Sequence, residues 1–393
     1  MRRPARLAGS LSTGLSLATI GYVWVGYPLL VSAVARRRPV ELEPEAGWRL
    51  PTVTVVVCAL DEEDVIAGKV TELLAADYPT ELLDVVVVTD GSTDRTADVA
   101  RAAGGGRCRV LESPVRGGKP AAVARGVAAA SGDVVVLSDA NNHYEQTTVA
   151  RLVAPFADPR VGATVGAKRV EGGDDRVAVG DGAYWRYEAA IKAAESKAGS
   201  CTAASGEVMA LRRTAIVELP ADVVNDDFWL LLGVLRSGAR VVYVPEARSV
   251  ERSSASSGDE RARRARMTAG RFEVAARGAA VLPEDRRLRW QIVSHKYLRL
   301  ALPGAFLGGL LGAAVWTGAG GGRIARLVLG SQVAFHAVSL AARGAAGPGR
   351  RSLTVPAFVL DANIATVRGF LAWRRGTYRG GWDRVRRAEE VDR

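Results

Sequence analysis

The sequence predicts an α/β domain built on a doubly wound, mostly parallel sheet, with transmembrane helices flanking it at the N- and C-terminal ends. Three observations carry this expectation. Val85-Val86-Val87-Val88 and Val134-Val135-Val136-Leu137 are unbroken apolar runs rich in β-branched side chains, as required of strands buried on both faces of a parallel sheet. Strand-like and helix-like segments alternate between residues 53 and 103, the pattern that lays helices over such a sheet. Residues 7–35 contain no charged side chain, and at ~1.5 Å per helical residue they exceed the roughly 30 Å hydrocarbon core of a bilayer.

The elements follow in order. Arg2, Arg3 and Arg6 ahead of the first apolar stretch, with Ala33-Val34-Ala35 near its end, also fit a cleaved signal peptide. The stretch is far longer than the roughly 7–15 residues of a signal core, so a retained anchor over 1–38 is expected. Pro51 opens a strand over 53–59, and 61–76 reads as a helix started by acidic residues at its positive end. A strand over 84–89 and a helix over 93–103 repeat the unit, with Asp94 as helix cap. A helix over 119–130, a strand over 134–138 and an apolar helix over 228–235 complete a soluble domain set at 50–275. Gly104-Gly105-Gly106 and residues 253–258 read as flexible loops. Residues 276–299 form a connector in which Trp290 to Lys296 reads as an interfacial anchor, and 300–393 holds C-terminal membrane helices and a basic tail. Residues 301–322 and 327–342 are uncharged apart from a histidine and read as spans. Residues 353–373 are interrupted by Asp361, Asn363 and Arg368, and ionisable groups are costly in hydrocarbon, so this segment is expected at the interface or re-entrant. Three spans are expected, or four if this one crosses.

Arg36-Arg37-Arg38 after the first span and the basic segment 286–296 before the second place the large domain on the cytoplasmic side of the plasma membrane. A net charge of +11 and a pI near 9.9 raise the question of nucleic acid. The arginines instead cluster beside apolar spans and over 261–289, and no zinc spacing, helix-turn-helix signal or stacked-aromatic motif accompanies them, so anionic headgroups and phosphates are the expected partners and nucleic acid is not. Cys58, Cys108 and Cys201 lack paired spacing, which fits reduced core residues better than a disulfide framework.

The carboxylates fall at strand ends: Asp90 after 85–88, Asp139-Ala140-Asn141 after 134–138, and Asp226-Asp227 before an apolar helix. Ligands of open α/β sheets bind outside the carboxyl ends of the strands. No Gly-x-Gly-x-x-Gly and no complete Walker A sequence follows these strands, although Gly117-Gly118-Lys119 superficially resembles the latter. The opening run Val53 to Glu63, the run Val87 to Thr96 with its Asp-Gly-Ser turn, then Gly118-Lys119, Gly132-Asp133, Asp139-Ala140-Asn141 and Asn225-Asp226-Asp227 stand in the order of the family 2 glycosyltransferases. Residues 51–270 resemble that family, whose members include cellulose, hyaluronan and poly-N-acetylglucosamine synthases.

The resemblance implies a GT-A fold and inverting transfer of a sugar from a nucleotide donor, with UDP expected, to a lipid-linked or growing glycan acceptor. Ala59 and Asp90 then lie on the nucleotide side, where a fixed Asp90 carboxylate can accept from a uracil imide. Asp139 and Asn141 are hard oxygen donors for Mg2+ or Mn2+; the family usually has aspartate at the third position, so Asn141 removes one charge. Lys119 and Arg266 are candidates for the diphosphate, set against an ordinary solvated lysine and a basic helix on the membrane surface. Arg266 keeps the arginine of Gln-x-x-Arg-Trp, while Arg263 and Met267 depart from it, and Met267 offers no stacking platform. Gly238 lies eleven residues after Asp227, the family spacing that selects Asp227 as general base. Gly206, Glu207 and Asp226 are assigned to the acceptor side, with surface charge as the other reading of Glu207. His143 reads as structural. Two rival readings remain: a non-catalytic scaffold of a polysaccharide assembly complex, favoured by Asn141 and the altered 263–267 segment, and a peripheral module held on membranes by its arginines.

Overall fold

A computed structural model describes residues 2–171, 175–252, 257–344 and 351–378. The expected loop over 253–258 lies partly, and the basic tail past 378 wholly, outside these residues. The chain begins with α1 (Arg2–Gly21), a π-turn (Tyr22–Gly26) and α2 (Tyr27–Arg37), which together make one long rod. Pro28 cannot donate to the Trp24 carbonyl one turn earlier. That carbonyl accepts from the Tyr187 hydroxyl at 2.9 Å, so the π-turn in the first helix is also a tie to the soluble domain.

Strands β1 (Val53–Ala59), β2 (Leu83–Asp90), β3 (Cys108–Ser113), β4 (Val134–Asp139), β5 (Asn142–Tyr144), β6 (Val161–Glu171), β7 (Met209–Arg212) and β8 (Arg240–Arg252) form one sheet in the order β3-β2-β1-β4-β7-β6-β8-β5. The first four neighbours are parallel, β7 and β5 run antiparallel to their partners, and β6 pairs with β8 in parallel. The intervening helices are α3 (Ile66–Leu74), α4 (Thr96–Gly104), α5 (Lys119–Ala129), α6 (Thr148–Val153), α7 (Asp175–Lys197) and α8 (Asp226–Arg236). Val55, Val57, Val85, Val87 and Val136 face α3, α4 and α6. Their alternates Val56, Val86, Val88, Val135 and Leu137 face α5 and α8. Both faces are covered, which is why these strands read as continuous apolar runs.

α3 begins five residues later than expected, because Asp61 takes φ +52 and the chain there is latched to the next strand's turn: Thr93 N–H donates to Asp61 at 2.7 Å and Glu63 N–H to Asp94 at 3.1 Å. The cap position of α4 is Arg95 and not the expected Asp94, which stands one residue earlier and accepts from the first-turn Thr96 N–H at 3.0 Å.

The C-terminal part holds α9 (Ser257–Ala276), α10 (Arg286–Ile292), α11 (Leu302–Gly318), α12 (Gly322–Gly344) and α13 (Arg351–Arg375). Four stretches, Arg3–Arg37, Arg286–Gly318, Gly322–Ala342 and Val355–Arg375, are helices long and apolar enough to cross a membrane. The segment expected as an interfacial anchor forms an inner seam: Gln291, Ser294 and His295 are buried, Trp290 donates to Tyr22 at 2.8 Å, and His295 lies between Glu195 and Glu188 at 2.7 and 3.2 Å. Tyr27 bonds the same Glu195. α9 is likewise no exposed surface helix, because α13 lies along it, with Phe272 stacked on Trp373 and against Phe370.

Candidate functional site

β1, β2 and β4 end side by side, with Ala59 in register with Thr89 and Cys58 with Asp139. Ala59, Asp90 and Asp139 therefore stand in one row at the carboxyl edge of the sheet. Asp90 is buried, and its two carboxylate oxygens accept from the Gly117 and Gly118 N–H groups at 2.7 Å each. Gly91 and Gly118 hold φ +72 and +87, and a Cβ on Gly91 would lie 2.9 Å from the Arg116 nitrogen. Asp90 thus shapes the loop entering α5 with one set of lone pairs, and a carboxylate has others to offer a ligand.

That loop delivers Lys119 to the first position of α5, where its Nζ meets Asp139 Oδ1 at 2.6 Å. Burial works against the charge on Lys119, yet Asp139 and Asp226 outweigh it and hold the ammonium protonated well above its usual range. Asp226 opens α8 and is buried; burial, with Asp227 and Asp139 as like charges, lifts its carboxyl to about 6 despite the attraction of Lys119. Asp227 is oriented by two backbone donors, Phe228 N–H at 2.7 Å and Gly206 N–H at 3.2 Å. The helix N-terminus adds its positive end. The site is therefore one lysine among three aspartates, brought from β4, α5 and α8.

Asn141 and Asn142 divide two tasks. Asn142 is buried and saturated, accepting from Ser138 at 3.0 Å and donating to the Glu207 carbonyl and Ser249 at 2.8 Å. Asn141 Oδ1 is buried with no partner. An orphaned amide oxygen two residues past Asp139 is, with that carboxylate, a hard oxygen donor of the kind that suits Mg2+ or Mn2+, ions that commonly take only one or two protein oxygens and complete their shell with phosphate and water. No group of three or more His, Cys, Asp or Glu placed to hold a metal ion exists among the described residues, so a cation here depends on such outside ligands. His143 is paired with Glu72 at 3.0 Å, the structural role expected of it.

Glu207 is not a surface charge. It is buried, its carboxylate bonds Lys168 at 2.6 Å and Ser249 at 3.2 Å, and its carbonyl accepts from Tyr144 at 2.7 Å. Sequence reasoning missed Lys168, and also Lys69, a fully buried lysine whose burial lowers it to about 8 while it holds the Asn142 carbonyl at 2.9 Å. Each interrupts a mainly apolar stretch, and the sequence does not show which distant groups it meets. Asn225 joins the site to α9, donating to the Met267 carbonyl at 2.9 Å. Arg266, its neighbour on α9, is thereby carried on the helix that abuts the start of α8.

Residues 51–270 match the family model described as "Glycosyltransferase like family 2". An N-acetylglucosaminyltransferase of Rhizobium meliloti (strain 1021) is 30% identical over 249 residues, covering 56% of this chain and 58% of the relative. A probable glycosyltransferase of Bacillus subtilis (strain 168), YdaM, is 35% identical over 134 residues, covering 31% and 32% of the two chains. The chain thus spans little more than half of the first relative's length. The solved structure of mannosyltransferase PcManGT from Pyrobaculum calidifontis, in complex with GDP-Man and Mn2+, is similar over 91% of this chain and 99% of its own, with a TM-score of 0.68 and 26% identity.

Proposed function

The chain belongs to the family 2 glycosyltransferases, and from that premise we propose that it is a membrane-embedded inverting transferase that moves a sugar from a nucleotide donor to a lipid-linked or growing glycan acceptor. The observation that carries this reading is the convergence of Lys119 with Asp139 and Asp226 at 2.6 Å and within electrostatic reach, beside an Asp227 fixed by Gly206 and Phe228. UDP-N-acetylglucosamine is the first donor to test, because the curated relative bears that activity in its name.

The donor lies along the carboxyl edge of the sheet, with its nucleoside at Ala59 and Asp90 and its diphosphate at Asp139, Lys119 and Arg266. Asp139 and Asn141 would hold Mg2+ or Mn2+, which would supply positive charge against the departing diphosphate. Asp227 takes the proton of the acceptor hydroxyl as that oxygen bonds the anomeric carbon from the face opposite the diphosphate. The sugar–phosphate bond breaks and the nucleoside diphosphate leaves with its electron pair. Gly206 and Asp226 form the acceptor side, and Glu207, committed to Lys168, holds that wall from behind. The domain faces the cytoplasm, a reading supported by Arg36-Arg37-Arg38 at the end of α2.

Purified full chain with UDP-N-acetylglucosamine or GDP-mannose and Mn2+ is expected to release nucleoside diphosphate, and Asp227→Asn to reduce release by at least ~10³-fold, a loss beyond the roughly 10²–10⁴ range only if other groups fail with it. Absence of release from every nucleotide sugar in the wild type favours the scaffold reading and overturns this one.

A further inference from the structure

α7 hides charge where an amphipathic helix hides hydrocarbon. Glu188, Lys192, Glu195 and Ser196 recur at helical spacing, and each is less than a tenth exposed. Burying such groups is costly unless they are hydrogen-bonded, and an apolar stripe of the same shape would serve stability as well. Their bonds therefore point to a use beyond holding the fold.

Glu195 joins the most groups. One oxygen, Oε1, accepts from the Tyr27 hydroxyl in the first membrane stretch and meets His295 Nδ1 in the second at 2.7 Å. The other, Oε2, accepts from the Thr202 N–H and hydroxyl at 2.9 Å each. Burial works against its charge, yet His295, Tyr27 and the Thr202 N–H outweigh it and keep the carboxyl below its usual range. Thr202 stands four residues before Gly206, in a loop held again from the same helix where Lys192 donates to Ser205 at 3.1 Å. Gly206 N–H then reaches Asp227 at 3.2 Å. At its membrane end this chain of contacts is built on two π-turns, Tyr22–Gly26 and Val293–Tyr297, joined by the Tyr22 and Ser294 hydroxyls at 2.8 Å. Such turns frequently interrupt α-helices at functional sites.

We propose that Glu195 is a positioning residue for Asp227, tying the packing of the first two membrane stretches to the loop 199–206 that holds that carboxylate; the role rests on the transferase reading above. The test uses the full chain in nanodiscs, with whichever of UDP-N-acetylglucosamine and GDP-mannose the wild type turns over. Tyr27→Phe removes one hydroxyl from the membrane side of Glu195 and should lower kcat about tenfold or more, as a small displacement of a reacting group does. The donor KM should stay within about twofold, the mark of an interaction made only in the transition state, and amide exchange over 199–206, read by mass spectrometry, should quicken. Tyr187→Phe is the matched control. Its hydroxyl ties the same membrane helix to α7 through the Trp24 carbonyl at 2.9 Å, but donates nothing to the loop among the described residues, so kcat and exchange should not change. Thr202→Val removes a bond from the other oxygen of Glu195 and should act like Tyr27→Phe. Combined, the two should cost clearly less than the product of their separate losses, because both act through one carboxylate. If Tyr27→Phe does not fold, Thr202→Val against Tyr187→Phe makes the same comparison. Unchanged kcat in Tyr27→Phe, equal losses in Tyr27→Phe and Tyr187→Phe, or losses that multiply in the double variant overturn the positioning role alone. A wild type that turns over no nucleotide sugar overturns the transferase reading and with it the role given to Glu195.

Discussion

Gly206 has no side chain, and the space where one would stand is 3.0 Å from the Asp227 Cβ. Gly206→Ala is therefore expected to push the Asp227 carboxylate off its position while leaving the fold in place. A displacement of that order can cost on the order of 10–100-fold in kcat, measured as diphosphate release with unchanged thermal stability. Asp226 yields a prediction with a definite sign. Its carboxyl is raised in the folded chain from 3.8 to about 6, so the folded state is at its best below the ordinary carboxylate value, and stability is lost as pH rises through the interval to about 6. Two units amount to about 2–3 kcal/mol. The melting temperature of Asp226→Asn relative to wild type should accordingly climb between pH 4 and pH 7; a difference constant with pH would show that Asp226 is not held in this way. At this scale the sequence was informative wherever a residue ended a strand, as Asp90 and Asp139 do. It was silent on Lys69 and Lys168: beside the nearby Glu72, Lys69 holds a carbonyl 73 residues away, and Lys168 meets a carboxylate 39 residues away.

Strands β1, β2 and β4 were legible because each is sealed on both faces, which leaves only apolar side chains to choose from. β6 and β8 were not, since Lys168, Arg169, Arg248 and Glu251 interrupt their apolar character, and only pairing across the sheet makes strands of them. Helix starts were misplaced by the Asp61 turn, whose positive φ has no signature in an aspartate-glutamate run. α9 and α13 show the same limit. Read alone, one is a basic amphipathic helix and the other a doubtful span; together they are a packed pair. A Cβ at Gly369 would lie 2.8 Å from the Ala265 carbonyl, so Gly369→Val should force the pair apart and lower stability by about 1–3 kcal/mol, seen as a lower melting temperature. An unchanged melting temperature would mean that the two helices do not touch there.

The whole molecule joins its membrane helices to its soluble domain through side chains as well as through the chain. Tyr27, Val31 and Ala35 of α2 pack on Ile191 and Ala194 of α7 and on Ala198 just past its end, so the first helix is an integral wall of the domain and not a tether. α13 is long enough to cross, yet it lies along α9, and we expect its C-terminal end on the domain's side of the bilayer. The three native cysteines are buried, which makes the topology accessible to labelling. Thr377→Cys and Glu81→Cys should react with an impermeant maleimide from the same side of sealed vesicles; opposite sides would establish α13 as a fourth crossing.

The seam in which Trp290 meets Tyr22 closes across 268 residues of chain. At roughly 5–20 residues per second of synthesis, the first helix waits on the order of tens of seconds for its partner to emerge. For the last part of that interval Glu195 has been made while His295, its partner at 2.7 Å, has not, so this buried hydrogen-bond network stays incomplete until residue 295 emerges. Its assembly is timed by translation, and a pause before residue 295 would lengthen the period in which the chain is open to capture by chaperones or proteases.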